Sequence, residues 1–333
     1  YSSYAARDYL NSRKKAPTCH VKRSSVAPSL RAAALEGGGL VSGTVLRTYR
    51  LALACTGEYA SFHEGTTNDV LAAMVTTVNR VNGIYESEVA VRVQLVPNND
   101  QLVFLNASTD PYQNNDGDQM LIDNVATINS RIGLGGYDIG HVFSTGGGGV
   151  AGLGVVWGSY KAEGVTGQSQ PMGDPFDIDF VAHEMGHQFD GNHTFNGDSG
   201  SCSDENRHAL TAYEPGSGST IQAYAGICGN DDVQLYSDPY FHSASHQEIY
   251  GFVSTGNGAG CAMETATGNT PPTVEAGADY TVPRSTPFVL TALGSDDDGD
   301  TVTYSWEQFD LGPQLDHRQP RVVLGGPLEC YLN

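Results

Sequence analysis

No apolar run in this chain approaches the ~18 residues that a membrane-spanning helix requires, so no bilayer crossing is expected. Positive charge is scarce beyond residue 50. Residues 1–50 hold 9 of the 17 Lys and Arg and only two acids, which leaves 8 basic against 36 acidic groups in residues 51–333, a net −28. So acidic a body repels nucleic acid and anionic membranes, and neither is expected as a partner. It suits an extracellular protein that binds calcium or tolerates salt, and equally one that is merely soluble. The six cysteines include no C-x-x-C pair, which argues against a structural zinc ribbon and fits an oxidising compartment. Cys202 and Cys228 could staple the segment between them, with Cys55 or Cys261 as alternative partners, and spacing does not choose among these pairings. Tyr1-Ser2-Ser3 supplies neither an initiator methionine nor an apolar leader core, so the chain reads as a processed or trimmed piece. The Gly146–Gly149 run is not followed by Gly-Lys-Ser/Thr and is therefore no phosphate loop.

What is present is concentrated in residues 183–193, His-Glu-Met-Gly-His-Gln-Phe-Asp-Gly-Asn-His. His183 and His187 are four apart, so on a helix both imidazoles leave one face, a turn apart. His193 follows past Asp190-Gly191, where a helix would break. Three neutral imidazoles give zinc three ligands and leave a fourth position for water, the pattern of a catalytic rather than a structural site. Glu184 stands beside them as the base that takes a proton from that water, as in H-E-x-x-H metallopeptidases. Ile178, Val181, Ala182, Met185 and Phe189 form an apolar stripe at helical spacing, with Asp177 or Asp179 as N-cap. His242 and His246 are also four apart but lack a third ligand, and are read as a solvated helix face.

The run resembles the long zinc motif of the metzincin clan, and Ala182–Gly197 is similar to bacterial reprolysin-like (adamalysin-type) metallopeptidases. The similarity extends from about Leu46 to Ala262. It implies zinc on His183, His187 and His193, with Glu184 as general base. Two positions depart from the family pattern. Asp190 stands where the family usually has Gly, although Asp accepts left-handed backbone better than most residues. Gln222, in Ser219-Thr220-Ile221-Gln222-Ala223-Tyr224, stands at the Met-turn position beneath the zinc, where a buried amide needs partners. Tyr224 matches a tyrosine that some metzincins place near the scissile carbonyl, and reads equally as a packed core residue. Gly152-Leu153-Gly154-Val155 resembles the edge strand that binds an extended peptide by strand addition. Pro17-Thr18-Cys19-His20-Val21 resembles the end of a reprolysin-type propeptide, in which a Cys19 thiolate would cap the zinc and keep the enzyme latent. A disulfide, for instance to Cys330, is the competing reading of Cys19.

The organisation follows from periodicity. Residues 1–45 are a basic leader or propeptide remnant, 46–265 the catalytic domain, 266–275 a linker around Asn269-Thr270-Pro271-Pro272, and 276–333 a partial β-sandwich that resembles a PKD- or cadherin-like module. Strands are expected from Val45, over Val89–Leu95, Ile139–Ser144 and Leu153–Trp157; helices over 67–82, near 119–132, through the histidine motif and over 239–253. This is an α/β (α+β) fold, a mixed twisted sheet with an active-site helix. Beyond the linker, Phe288/Leu290 and Val302/Tyr304/Trp306 alternate as strands, and Asp296, Asp298 and Asp300 between them suit either calcium or a plain Asp-Gly turn. The expected function is a secreted, monomeric zinc endopeptidase acting on proteins or peptides. The alternatives are a catalytically weak zinc-binding or adhesive protein, favoured by Gln222 and Asp190, and another zinc hydrolase such as an amidase.

Overall fold

The protein is described here by a computed structural model covering residues 19–22, 42–203, 206–283, 286–309, 311 and 328–332. Strand β2 (Val45–Cys55) is its axis. Tyr49, Leu51, Leu53 and Cys55 enter one apolar core, while Ala52 and Ala54 enter a second core on the opposite face. A strand covered on both faces shows a near-continuous apolar run, as Leu51–Cys55 does. Around it lie β1 (Cys19–Lys22), β3 (Val91–Leu95), β4 (Ile139–Ser144), β5 (Gly149–Gly152), β6 (Gly164–Gly167) and β7 (Met263–Ala266), in the order β1-β5-β6-β4-β2-β3 with β7 also on β2. Pairing is parallel except for β5–β6 and β2–β7. The mixed α/β architecture is the one expected.

Helices cover both faces. After the short α1 (Gly57–Phe62), α2 (Thr67–Val89) starts at Thr66, whose hydroxyl accepts from the Asp69 N–H, and buries Val70, Met74, Val78 and Val81. It runs about two turns past the expected end because Ile84 and Tyr85 continue the stripe, and it stops where Ala90 turns left-handed at φ +51°. Strand β3 therefore begins at Val91 rather than Val89. On the other face, α3 (Gly117–Arg131) buries Met120, Leu121 and Ile128.

The motif helix is built from α4 (Asp174–Phe176), a π turn (Asp177–Ala182) and α5 (His183–Gln188) in succession. It starts earlier than expected, so Asp177 and Asp179 are not its caps. Asp177 accepts from the Thr77 hydroxyl at 2.7 Å, and Asp179 from the Ser237 N–H at 2.8 Å, each tying the helix to a neighbour. The Tyr85 hydroxyl donates to the Ala182 carbonyl at 2.7 Å, just before the first histidine. Gln188 fastens the other end, its amide donating to Gly140 O at 2.9 Å and its oxygen lying 2.9 Å from His141 Nδ1.

Leu153–Trp157 is not a strand. Gly154 (φ +62°) and Trp157 (φ +69°) turn the chain, and the N–H groups of Gly154 and Val156 donate to the terminal carbonyls of α5, His187 O at 2.9 Å and Gln188 O at 3.4 Å. Orphan carbonyls at a helix end attract such donors, and here they outcompete a sheet ladder. The strand lies just upstream, in β5, hidden by its glycines.

Cys202 and Cys228 form a disulfide, and Cys55 and Cys261 are free thiols. The side chains of Cys19 and Cys330 lie outside the described residues. Helix α6 (Ser243–Ser254) closes the domain, but His242 and His246 do not form a solvated face. His242 is buried, 3.2 Å from Gln308 O, and His246 Nε2 lies 3.2 Å from the Ser42 hydroxyl. Sequence periodicity could not show that a distant segment would cover them.

Beyond residue 266 the described residues form two antiparallel ribbons, β8 (Thr273–Glu275) with β9 (Leu293–Ser295), and β10 (Tyr304–Gln308) with β11 (Leu328–Leu332). The alternation at Phe288/Leu290 forms no strand, and Phe288 is half exposed. Asp296 Oδ1 accepts from the N–H groups of Asp298 (2.8 Å) and Asp300 (3.0 Å), around Gly299 at φ +83°. That is an Asp-Gly turn, and among the described residues no three carboxylates gather there at cation-binding distance.

Candidate metal centre

The motif places His183 and His187 one turn apart on α5. The helix ends immediately afterwards, with Asp190 at φ +74°, its N–H reaching His187 O and the Gly191 N–H reaching Gly186 O, both at 2.9 Å. This paired bonding is a Schellman cap, with Asp190 in the left-handed position that glycine usually fills. The turn returns His193 to the other two imidazoles.

All three imidazoles are buried, and each Nδ1 faces a backbone carbonyl at 2.6 Å: His183 to Ile221 O, His187 to Gly191 O and His193 to Asn206 O. Those contacts place the ring proton on Nδ1, so each neutral ring turns a bare lone pair inward on Nε2. The three Nε2 atoms lie 3.0, 3.0 and 3.3 Å apart. Three lone pairs so close repel one another unless a cation sits among them. Zinc bound tetrahedrally to nitrogens at ~2.0–2.1 Å would hold them roughly 3.4 Å apart, so the donor set fits that metal. Burial also keeps the rings neutral. It pushes His183 down to about 4 and holds His187 and His193 well below the ordinary histidine range, the neighbouring imidazoles adding to the effect on the latter two. At neutral pH all three are ready to ligate.

Glu184 is fully buried and lines a small cavity with His183, Tyr224, Phe180 and Ile227. Gly149 of β5 approaches so closely that a Cβ there would collide with the Glu184 carboxylate, which leaves glycine as the residue that fits. Tyr224 is packed between the histidines and the disulfide region, its ring 4.5 Å from those of His193 and Phe195. Of Gly152, Leu153, Gly154 and Val155, only Gly152 belongs to the edge strand, and the others form the turn on α5. The edge itself is β5, and it is occupied. Strand β1 runs parallel to it, with Cys19 opposite Gly149 and Lys22 opposite Gly152.

Gln222 is fully buried beneath His187, with Nε2 3.3 Å from Gly191 O and 3.1 Å from His187 Nδ1. Its Oε1 has no partner among the described residues. Turning the amide over would orphan the nitrogen instead, so one polar end is unsatisfied either way, at a cost of about 1–3 kcal/mol. Gly191 O already accepts from His187 and would not be stranded by an apolar neighbour. Gln222→Met should therefore raise the melting temperature by a few degrees, since about 1 kcal/mol moves a domain of this size by roughly 2–4 °C. Calorimetry showing a clear drop would mean that the amide makes bonds the fold depends on.

Sequence reasoning did not find Glu248. Its carboxylate accepts from the Asn192 N–H at 2.8 Å and the Asn192 side-chain amide at 3.0 Å, holding the residue before His193. A glutamate on an amphipathic helix gives no such signal. The backbone acceptors at Ile221, Gly191 and Asn206 carry no side-chain identity and were equally illegible.

A short helix presenting two histidines, a third returned by a capped turn, and a buried glutamate in the same pocket define a metallopeptidase site of the H-E-x-x-H type. The sequence matches metallo-peptidase family M12B, reprolysin-like, over residues 45–249, and the chain belongs to that family. Among solved structures it is similar to mirolysin in complex with compound 9, at 15% identity over 63% of this chain and 94% of that one, TM-score 0.35. Myroilysin is also similar, at 12% identity over 72% of this chain and 70% of that one, TM-score 0.26. No curated protein matches the chain.

Proposed function

We propose that this chain is a secreted zinc endopeptidase in which His183, His187 and His193 hold the metal and Glu184 is the general base. The observation that carries this reading is the convergence of three Nε2 lone pairs in a buried site, with Glu184 and His183 lining one small cavity beside it. Zinc, when bound there, supplies Lewis-acid chemistry for a carbonyl oxygen and for water. Glu184 takes the proton of the attacking water as the new C–O bond forms, then delivers it to the nitrogen as the C–N bond breaks. Tyr224 is assigned to steady the carbonyl oxygen, and the main chain of β5 to align an extended peptide, which suits varied sequences. Secretion is supported by the Cys202–Cys228 disulfide and the acidic body. Among the described residues no helix is long and apolar enough to cross a membrane. The residues from β8 onward are read as an accessory β module joined to β7 through 267–272, a shorter connection than the expected 266–275 because Ala266 and Thr273–Glu275 lie in strands.

The test is a diverse peptide mixture with and without a chelator, read by mass spectrometry. Internal cleavages that stop on chelation and return with zinc are expected. A zinc-loaded protein that cuts nothing, even with its leader cleaved or as the Cys19→Ser variant, would favour a metal-binding or adhesive role instead.

The leader has a part in this reading. Strand β1 covers the edge that a substrate would use, and it places the Cys19 backbone opposite the glycine that abuts Glu184. Lys22 Nζ adds an ion pair with Asp118 at 2.9 Å. We read β1 as inhibitory, with Cys19 as the candidate zinc cap. Limited proteolysis between Lys22 and Ser42 should raise turnover, and Cys19→Ser should be active without it. Equal turnover of intact, cut and Cys19→Ser protein would leave the leader no inhibitory role.

A further inference from the structure

We propose that Glu214 is a positioning residue of the metal centre, whose buried carboxylate locks the loop carrying His193 to the turn carrying the backbone acceptor of His183. The inference rests on the metal-centre reading above. Glu214 is buried, and its carboxylate accepts four hydrogen bonds. Oε2 accepts from the hydroxyls of Thr194 and, at 2.6 Å, Thr220. Oε1 accepts from the N–H groups of Ser219 at 2.8 Å and Thr220 at 3.1 Å. Thr194 directly follows His193, and Thr220 directly precedes Ile221, whose carbonyl fixes the His183 ring.

The backbone reinforces the same junction. The Glu214 N–H donates to Thr194 O, the Asn196 N–H donates to Glu214 O (both 2.8 Å), and the Thr194 N–H donates to Gln222 O at 3.1 Å. His183 and His187 share one helix and cannot drift apart. His193 comes from a separate loop, so its position relative to them depends on how that loop is held. Without the Glu214 clamp, the third imidazole and the His183 acceptor lose their common anchor, and a ligand set that must be gathered on binding holds metal less tightly.

The chemistry orders the variants. Glu214→Gln keeps an oxygen for the two N–H groups and offers an NH2 to the two hydroxyls, but the bonds lose their charge assistance. Glu214→Ala loses all four. Zinc affinity, measured by chelator competition on the full chain, should fall about 10–100-fold in the glutamine variant, the usual range for groups that orient ligands, and further in the alanine variant. The d–d spectrum of the cobalt-loaded protein should change in the same order.

Asp231→Asn is the control, because Asp231 also caps two N–H groups of this region, those of Asp198 (2.9 Å) and Ser199 (3.0 Å). It should lower the melting temperature while leaving zinc affinity as in the parent. Should neither Glu214 variant fold, Thr220→Val removes one donor to the same carboxylate and should weaken zinc binding in the same direction. Glu214→Gln with parental zinc affinity and an unchanged cobalt spectrum would overturn the proposal, as would an equal loss in the Asp231 control. A parent that binds no zinc would overturn the metal-centre reading together with this one. A parent that binds zinc but cleaves no peptide even after its leader is cut would overturn only the peptidase reading.

Discussion

Glu184→Gln should retain its metal and its fold while losing at least ~10²-fold in peptide hydrolysis, the usual scale for a general base. Glutamine has the shape of glutamate, so it enters the same space beside Gly149 without displacing β5. It cannot accept a proton. None of the three imidazoles depends on Glu184 for its orientation, because each Nδ1 is held by a backbone carbonyl. Metal content should therefore stay at the parental level. Stability should hold or improve, since burying a carboxylate costs more than burying an amide and active sites commonly retain such destabilising groups. Metal analysis, a melting curve and a timed peptide digest on one preparation would decide it. Parental turnover would show that another group activates the water.

His187→Ala should abolish both metal binding and hydrolysis. Its Nε2 lies 3.0 Å from each of the other two, so it belongs to both short contacts of the trio. Two remaining imidazoles rarely hold a catalytic metal. Because metal bound to the folded state stabilises it, by about 2.7 kcal/mol at a hundredfold excess over Kd, chelation should lower the melting temperature of the parent. The variant should melt at the same temperature with and without chelator. One metal per chain in His187→Ala would remove the assignment.

The parts of this molecule that could be read beforehand share a local cause. The histidine spacing acts within two turns of one helix, and the stripes of α2 and α3 and the apolar runs of β2, β3 and β4 are set by their own periods. What escaped depends on partners distant in sequence. Strand β5 is a strand because β6 and β1 pair with it, and its two glycines, Gly149 against Glu184 and Gly152 against Val155 and Glu163, erase the usual strand signal. The turn at 153–157 exists to satisfy the end of α5, which lies some thirty residues away. His242 looked solvated until Gln308 and Phe309 covered it. The left-handed Asp190 was legible, because the tolerance belongs to the residue itself.

Strand β1 has one further consequence. A four-residue segment held at a sheet edge gains too little to offset the entropy of ordering it, and as a free peptide it would bind weakly. Its occupancy comes from covalent attachment, which sets a local concentration on the order of millimolar whatever the protein concentration. Breaking the chain after Lys22 would alter no contact within the sheet, yet it would convert a unimolecular equilibrium into a bimolecular one. Occupancy of the edge would then fall with dilution, and added leader peptide would restore it only near the tethered concentration.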